Sequence, residues 1–247
     1  MNKLILHIPH SSIYIPDKTG YVVSKATLDK ELLKLTDWYT DDLFSVKDTI
    51  PIKAEFSRIF CDTERFSDDA QEIMVQFGMG VLYTHTDDGI LMRTIDDDLR
   101  FRILNNYYWI HHKVLSEAVA MQLKHHKKVL IVDCHSFPNT PLNASFYKGT
   151  ERPDFNLGTD SYHTPQHLIT SSVAFFKSKG YSILVDKPYS DTIIPMEYYQ
   201  KDNRVQSVML EINRSLYLQE NSSVKNEHYS TIKKIVREYL ELIRRKI

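Results

Sequence analysis

Residues 127–137 read KKVLIVDCHSF. Val129–Val132 are apolar on both alternating faces, the pattern of a strand whose sheet is covered on two sides. An acid, a cysteine, a histidine and a serine then follow in succession, from Asp133 to Ser136. We read 129–133 as a central strand of a parallel or mixed sheet, and the polar group after it as chemistry delivered to one end of that sheet.

Working outward, the chain keeps alternating between strands and helices. Leu4–Ile8 is an apolar run stopped by Pro9, a strand emptying into a loop with His10, Ser11 and Ser12. Across 27–46, Leu28, Leu32, Leu35, Trp38, Tyr39 and Leu43 recur at steps of three and four, predicting one helix on which Asp37 and Asp41 share a face. Strands are expected at the end of 51–61 and at Val81–Tyr83. From Asp97 to about His126 the spacing predicts the longest helix, with Leu99, Ile103, Leu104, Tyr107, Ile110, Val114, Leu115 and Val119 on one side.

A strand or extended segment is then expected at 143–149, a helix at 167–179, strands at 181–185 and 205–212, and a terminal helix over 224–245. This order predicts one α/β domain spanning 1–247, a three-layer sandwich around a mixed, mostly parallel sheet. The long connections 149–165 and 186–203 are of the kind that wall active sites.

The chain has 247 residues with 31 basic and 32 acidic side chains, a formal net charge of −1. That balance gives no field to draw in nucleic acid or an anionic membrane, so a small ligand is expected. Two cysteines, Cys61 and Cys134, cannot build a disulfide framework and sit in apolar runs as small hydrophobes, pointing to a reducing cytoplasm. The N-terminal MNKLILHIPH is too short in apolar residues for a signal peptide or a span. Composition leaves the oligomeric state open.

In open α/β sheets ligands gather beyond the carboxyl ends of the strands. That rule brings together His10 after the first strand, His135 after the strand at 129–133, and Glu211 at the end of the strand from Val205. Two imidazoles and a carboxylate are the donor set of a catalytic zinc site, which needs a further group as base. A lone loop histidine is more often simply hydrogen-bonded, and His7, His85 and His111 are read so, with His7 inside the strand on its packed side. Asp133 either steadies a ligand imidazole through its other nitrogen or caps a turn. Arg58, Arg65 and Arg214 either hold an acidic substrate group bidentately or pair with structural acids such as Asp62 and Glu64.

Six stretches in order, HIPHSS, TDWYTDDLF, SRIFCDTER, YYWIHHKVL, DCHSF and LEINR, resemble the N-formylglutamate amidohydrolase family over residues 3–217. The resemblance implies a zinc carboxypeptidase-like fold and metal-dependent hydrolysis of a linear amide, in the type member that of N-formyl-L-glutamate. By motif it implies His10 and His135 as ligands of zinc or another divalent metal and Glu211 as general base. Zinc carboxypeptidases take their first two ligands from His-x-x-Glu, but here the third position after His10 is Ile13, so Asp37 is expected as the remaining ligand, with Asp41 the alternative. His112 is expected by motif to contact substrate, and Ser136 either binds substrate or caps the turn. Departures are Ile110 and His111, where the family has proline and tyrosine, and SDTIIP at 190–195, where it is often glycine-rich.

Two rivals stand beside this reading. One is a metal-independent hydrolase with Ser136 or Cys134 as nucleophile, although no G-x-S-x-G elbow is present. The other is an inactive or regulatory binding protein that keeps the pocket.

Overall fold

Strands β1 (Leu4–Ile8), β2 (Thr49–Lys53), β3 (Val129–Phe137), β4 (Phe155–Gly158), β5 (Ile183–Val185) and β6 (Val205–Asn213) form one sheet in the order β2-β1-β3-β6-β4-β5. Every adjacent pair is parallel except β4 with β6. The computed structural model describes residues 4–149 and 151–247; Met1–Lys3, part of the N-terminal stretch read above, and Thr150, in the connection 149–165, lie outside the described residues. The α/β class with a mixed, mostly parallel sheet is as expected. Among the described residues no helix is long and apolar enough to cross a membrane.

Side chains alternate across a strand, so register sorts them into two faces. On one face Leu4, Leu6, Ile8, Leu130, Val132, Cys134, Val208, Leu210 and Ile212 form a continuous apolar layer. Helices α2 (Thr40–Leu43), α5 (Gln166–Ser178) and α6 (Tyr229–Arg244) cover it. Helix α6 does so with Ile232, Val236, Tyr239, Leu240 and Ile243, a stripe at helical spacing. Each fully buried aliphatic side chain stabilises by about 1.5–3 kcal/mol. The opposite face starts apolar, with Ile5, Val129, Ile131 and Val205 against Leu115, Ala118 and Val119 of α4 (Trp109–His125). Toward the carboxyl ends it changes to His7, Asp133, His135 and Glu211.

Several expected elements take another form, each for a local reason. The helix foreseen over 27–46 ends with α1 (Lys25–Leu35), because the Asp37 amide donates to the His10 carbonyl (2.9 Å) instead of continuing the helix. Tyr39 then adopts a left-handed conformation (φ 63°), which costs about 1–2 kcal/mol without glycine. Its hydroxyl on the Ser223 carbonyl and its ring edge-on to Tyr229 hold it there. Asp37 and Asp41 therefore do not share a helix face: Asp37 is buried and Asp41 is exposed beside Lys53.

The strand expected near Cys61 is a turn, with the Phe60 and Cys61 amides both donating to the Ser57 carbonyl. Val81–Tyr83 and 143–149 form no strand either, and β4 lies in the connection read as irregular. The long helix is interrupted between α3 (Asp97–Ile103) and α4 by a π-helical turn, Leu104–Tyr108. One extra residue rotates everything after it, so Ile110 and Val114 are 53% and 43% exposed while His111 and Leu115 turn inward. The terminal helix starts at Tyr229 instead of Val224, and β3 runs on to Phe137.

Candidate functional site

Because β3 continues past Asp133, His135 stands inside the strand and not beyond it, on the same face as Asp133 and His7. Glu211 of β6 lies in register with His135. His10 arrives from the loop after β1, and Asp37 from the break after α1, its amide tied to the His10 carbonyl. All four are buried.

Three of them meet closely. Asp37 Oδ2 lies 3.1 Å from His135 Nδ1 and 3.7 Å from His10 Nδ1, and the two rings are 5.1 Å apart between centroids. Each ring turns its Nε2 to a different carboxylate: His10 to Asp62 Oδ1 (2.8 Å), His135 to Asp133 Oδ1 (3.0 Å). A carboxylate accepting the Nε2 hydrogen fixes a ring so that Nδ1 can offer its lone pair, the usual support of a metal-bound histidine. On the far side of Asp37, Oδ1 accepts from Arg214 Nη2 (2.8 Å).

The site's electrostatics follow from burial and charge. Burial would raise the Asp37 carboxyl, but the nearby His10 ring, the His135 hydrogen bond and the Arg214 charge hold it well below the usual carboxylate range. Burial opposes a charge on His135, yet Glu64 and Asp133 outweigh it and hold the imidazole well above its ordinary value. Glu211 goes the other way. Burial, with Asp37 and Glu64 adding repulsion, pushes its carboxyl up to about 8 against the pull of His135 and Arg214. That places it where a group can both take and return a proton near neutrality.

The donor chemistry suits a divalent ion of the zinc type. Two imidazoles and one carboxylate offer atoms within 4.8 Å of one another, and His10 Nδ1 is buried with no hydrogen-bond partner. His7, Glu64 and Asp133 make a second group of the same spread. There both ring nitrogens of His7 are already engaged, Nδ1 with Asp133 (2.7 Å) and Nε2 with His111 Nε2 (2.9 Å). Burial lowers His7, but Asp133 and Glu64 more than reverse this and raise it to about 9. Burial and then the His7 charge push His111 down to about 2, so His111 accepts the hydrogen.

The arginines foreseen as substrate contacts are occupied by protein acids. Asp62 Oδ2 accepts from Arg58 Nη2 (3.0 Å) and from the Tyr83 hydroxyl (2.8 Å), and Arg65 Nε lies 3.9 Å from both Asp62 and Glu72. Arg214 binds Asp37, the Lys34 carbonyl and the hydroxyl of Ser136. His112 keeps a buried Nε2 without a partner, and burial followed by the His7 charge lowers it to about 4. Cys134 points into the apolar face, where burial drives its thiol well up, and Ser136 Oγ accepts from Arg214 Nε (3.1 Å) with no histidine as base. His85 stands apart beside Thr84.

Asp62 and Glu64 appear in the sequence only as possible partners of arginine, and His7 and His111 only as bland histidines. Their places depend on the turn at 57–62 and on the π-helical turn, neither of which leaves a periodic signal.

An α/β sheet whose parallel strands end in buried histidines and carboxylates is the kind of frame on which hydrolases are built. The chain belongs to the N-formylglutamate amidohydrolase family, whose model matches residues 2–218, and it is by family an amidohydrolase. The fold is that of an N-formylglutamate amidohydrolase from Ralstonia eutropha JMP134, with TM-score 0.85 and 22% identity over 100% of this chain and 96% of that one. A gene product of Agrobacterium tumefaciens is also similar, with TM-score 0.66 and 18% identity over 98% and 92% of the two chains. No curated protein matches the chain in sequence.

Proposed function

We propose that the chain hydrolyses the formyl amide of an N-formylated acidic amino acid such as N-formyl-L-glutamate, with zinc or a related divalent ion held by His10, Asp37 and His135. The observation that supports this reading above all is the meeting of two Nδ1 atoms on one oxygen of Asp37, with Glu211 in register beside His135. Bound there, a divalent ion supplies a Lewis acid, making water more acidic and a carbonyl more electrophilic near neutral pH.

The chain's own groups do the rest. Glu211, its Oε2 buried and without a partner, takes the proton of the attacking water and passes it to the departing amine. Water oxygen bonds to the formyl carbon, the C–N bond breaks, and formate and the free amino acid leave. Asp62 and Asp133 keep the two rings oriented, and Arg214 holds Asp37. Ser136 and His112 are the side chains we assign to substrate contact.

The test is formate release from N-formyl-L-glutamate. Zinc-loaded protein is expected to yield formate and glutamate in equal amounts, to lose this on chelation and to regain it with zinc. No formate from the metal-loaded protein would overturn the proposal, as would undiminished turnover after chelation.

A further inference from the structure

With Arg58, Arg65 and Arg214 committed to protein acids, the carboxylate of an acidic substrate needs another cation, and Arg152 has the required surroundings. It is the one arginine among the described residues whose Nε, Nη1 and Nη2 are all buried and all without a hydrogen-bond partner. A buried guanidinium is costly unless it is paired. Instead of an acid, three aromatic rings surround it, those of Phe137, Tyr147 and Tyr189, with centroids 5.8, 5.9 and 5.9 Å from its central carbon.

The place is beside the reacting groups. Phe137 is two residues beyond His135 on the same face of β3, in register with Asn213, and the Asn213 amide donates to the Asp154 carbonyl while its Nδ2 donates to that of Pro153. The residues just after Arg152 are thus tied to the carboxyl end of β6. Tyr189 is anchored by its amide to Asn156 Oδ1, and Asn156 stands in register with Glu211. Burial first, then Glu211, raises the Tyr189 phenol while Arg152 and Arg214 lower it, so all four share one neighbourhood.

We propose that Arg152 receives the side-chain carboxylate of the substrate, with Phe137, Tyr147 and Tyr189 packing against the methylenes that lead to it. This rests on the amidohydrolase reading and adds the residue that makes the site select an acidic amino acid. Methylene groups suit the ring faces, and a guanidinium fork fits a terminal carboxylate bidentately. A site built for that pairing rejects the neutral isostere, because the cation is then left unpaired.

The experiment compares zinc-loaded wild type, Arg152→Met and Arg152→Lys on N-formyl-L-glutamate and N-formyl-L-glutamine, and measures glutarate binding to the same proteins by calorimetry, with thermal melts as the check on folding. Arg152→Met is expected to lower kcat/KM for the glutamate substrate by about 10²–10³-fold, mostly through KM, and to change the glutamine substrate less than about threefold. Arg152→Lys should restore part of the loss, and glutarate affinity should fall in parallel. Equal loss on both substrates, or glutarate binding unchanged in Arg152→Met, would overturn the assignment and leave a packing role. If wild type hydrolyses neither substrate but binds glutarate through Arg152, the hydrolase reading fails while this one stands; if wild type hydrolyses the formylglutamate yet binds no glutarate, the reverse holds.

Discussion

The two faces of the central sheet carry strand residues one position apart and do opposite work. Leu210 and Glu211 are neighbours in β6; one enters a layer of leucines, valines and isoleucines, the other a buried network of acids and imidazoles. The apolar face costs nothing to desolvate and supplies much of the folding free energy. The polar face is expensive to bury, and its charges persist because nearly every one is answered: Asp62 by Arg58, Tyr83 and His10, Asp37 by Arg214 and His135. Glu211 differs among the site's acids, with its Oε2 buried and without a partner. Stability sits on one side of the sheet and the proposed site on the other, as expected where a site works against its own stability.

Substitutions on the two faces separate these roles. The largest effect is expected from His135→Ala, which should drop bound zinc from about one per chain to a small fraction and reduce formate release to background, read by metal analysis and a formate assay. Next, Glu211→Gln should lower kcat by about 10²–10⁴-fold with zinc retained. Leu210→Ala, one residue away on the other face, should lower stability by about 2–5 kcal/mol and Tm by roughly 5–15 °C, while kcat per folded molecule stays within about twofold.

A smaller effect on stability sharpens the contrast. Glu211 has its carboxyl raised from the ordinary 4.5 to about 8, so the fold binds its proton more tightly than the unfolded chain does. That contribution is fully present below pH 4.5 and is lost as pH rises through about 8. Glutamine cannot ionise, so metal-free Glu211→Gln should match wild type at low pH and exceed it by about 1–3 kcal/mol above pH 8, seen in melts across that range. The least effect belongs to Asp41→Asn: Asp41 lies on the exposed α2 turn, and zinc affinity should be unchanged in a competition titration.

Much of this arrangement was readable before any coordinates. The run Val129–Val132 is apolar on both faces, and Leu4–Ile8 is apolar up to Pro9 save His7; these mark central strands and hence the carboxyl ends that carry His135 and Glu211, with His10 in the loop beyond β1. The motif points to Asp37 and the spacing puts it on a helix; the structure reaches the same neighbourhood by breaking that helix, with a strained Tyr39 that spacing cannot foretell. The π-helical turn is likewise invisible to a 3.6-residue period, so Ile110 and Val114 read as core while His111 reads as an ordinary hydrogen-bonded histidine. Whether an arginine is paired or free depends on distant acids. Arg152, in a connection without periodicity, carried no signal of its own.

The central claim is that His10, Asp37 and His135 hold one ion, and anomalous diffraction at the zinc edge from crystals of the zinc-loaded protein tests it most directly. One peak is expected, about 2.0–2.2 Å from Nδ1 of each histidine and from a carboxylate oxygen of Asp37. An ion bound instead by His7, Glu64 and Asp133, or touching only one of the three named residues, would contradict it.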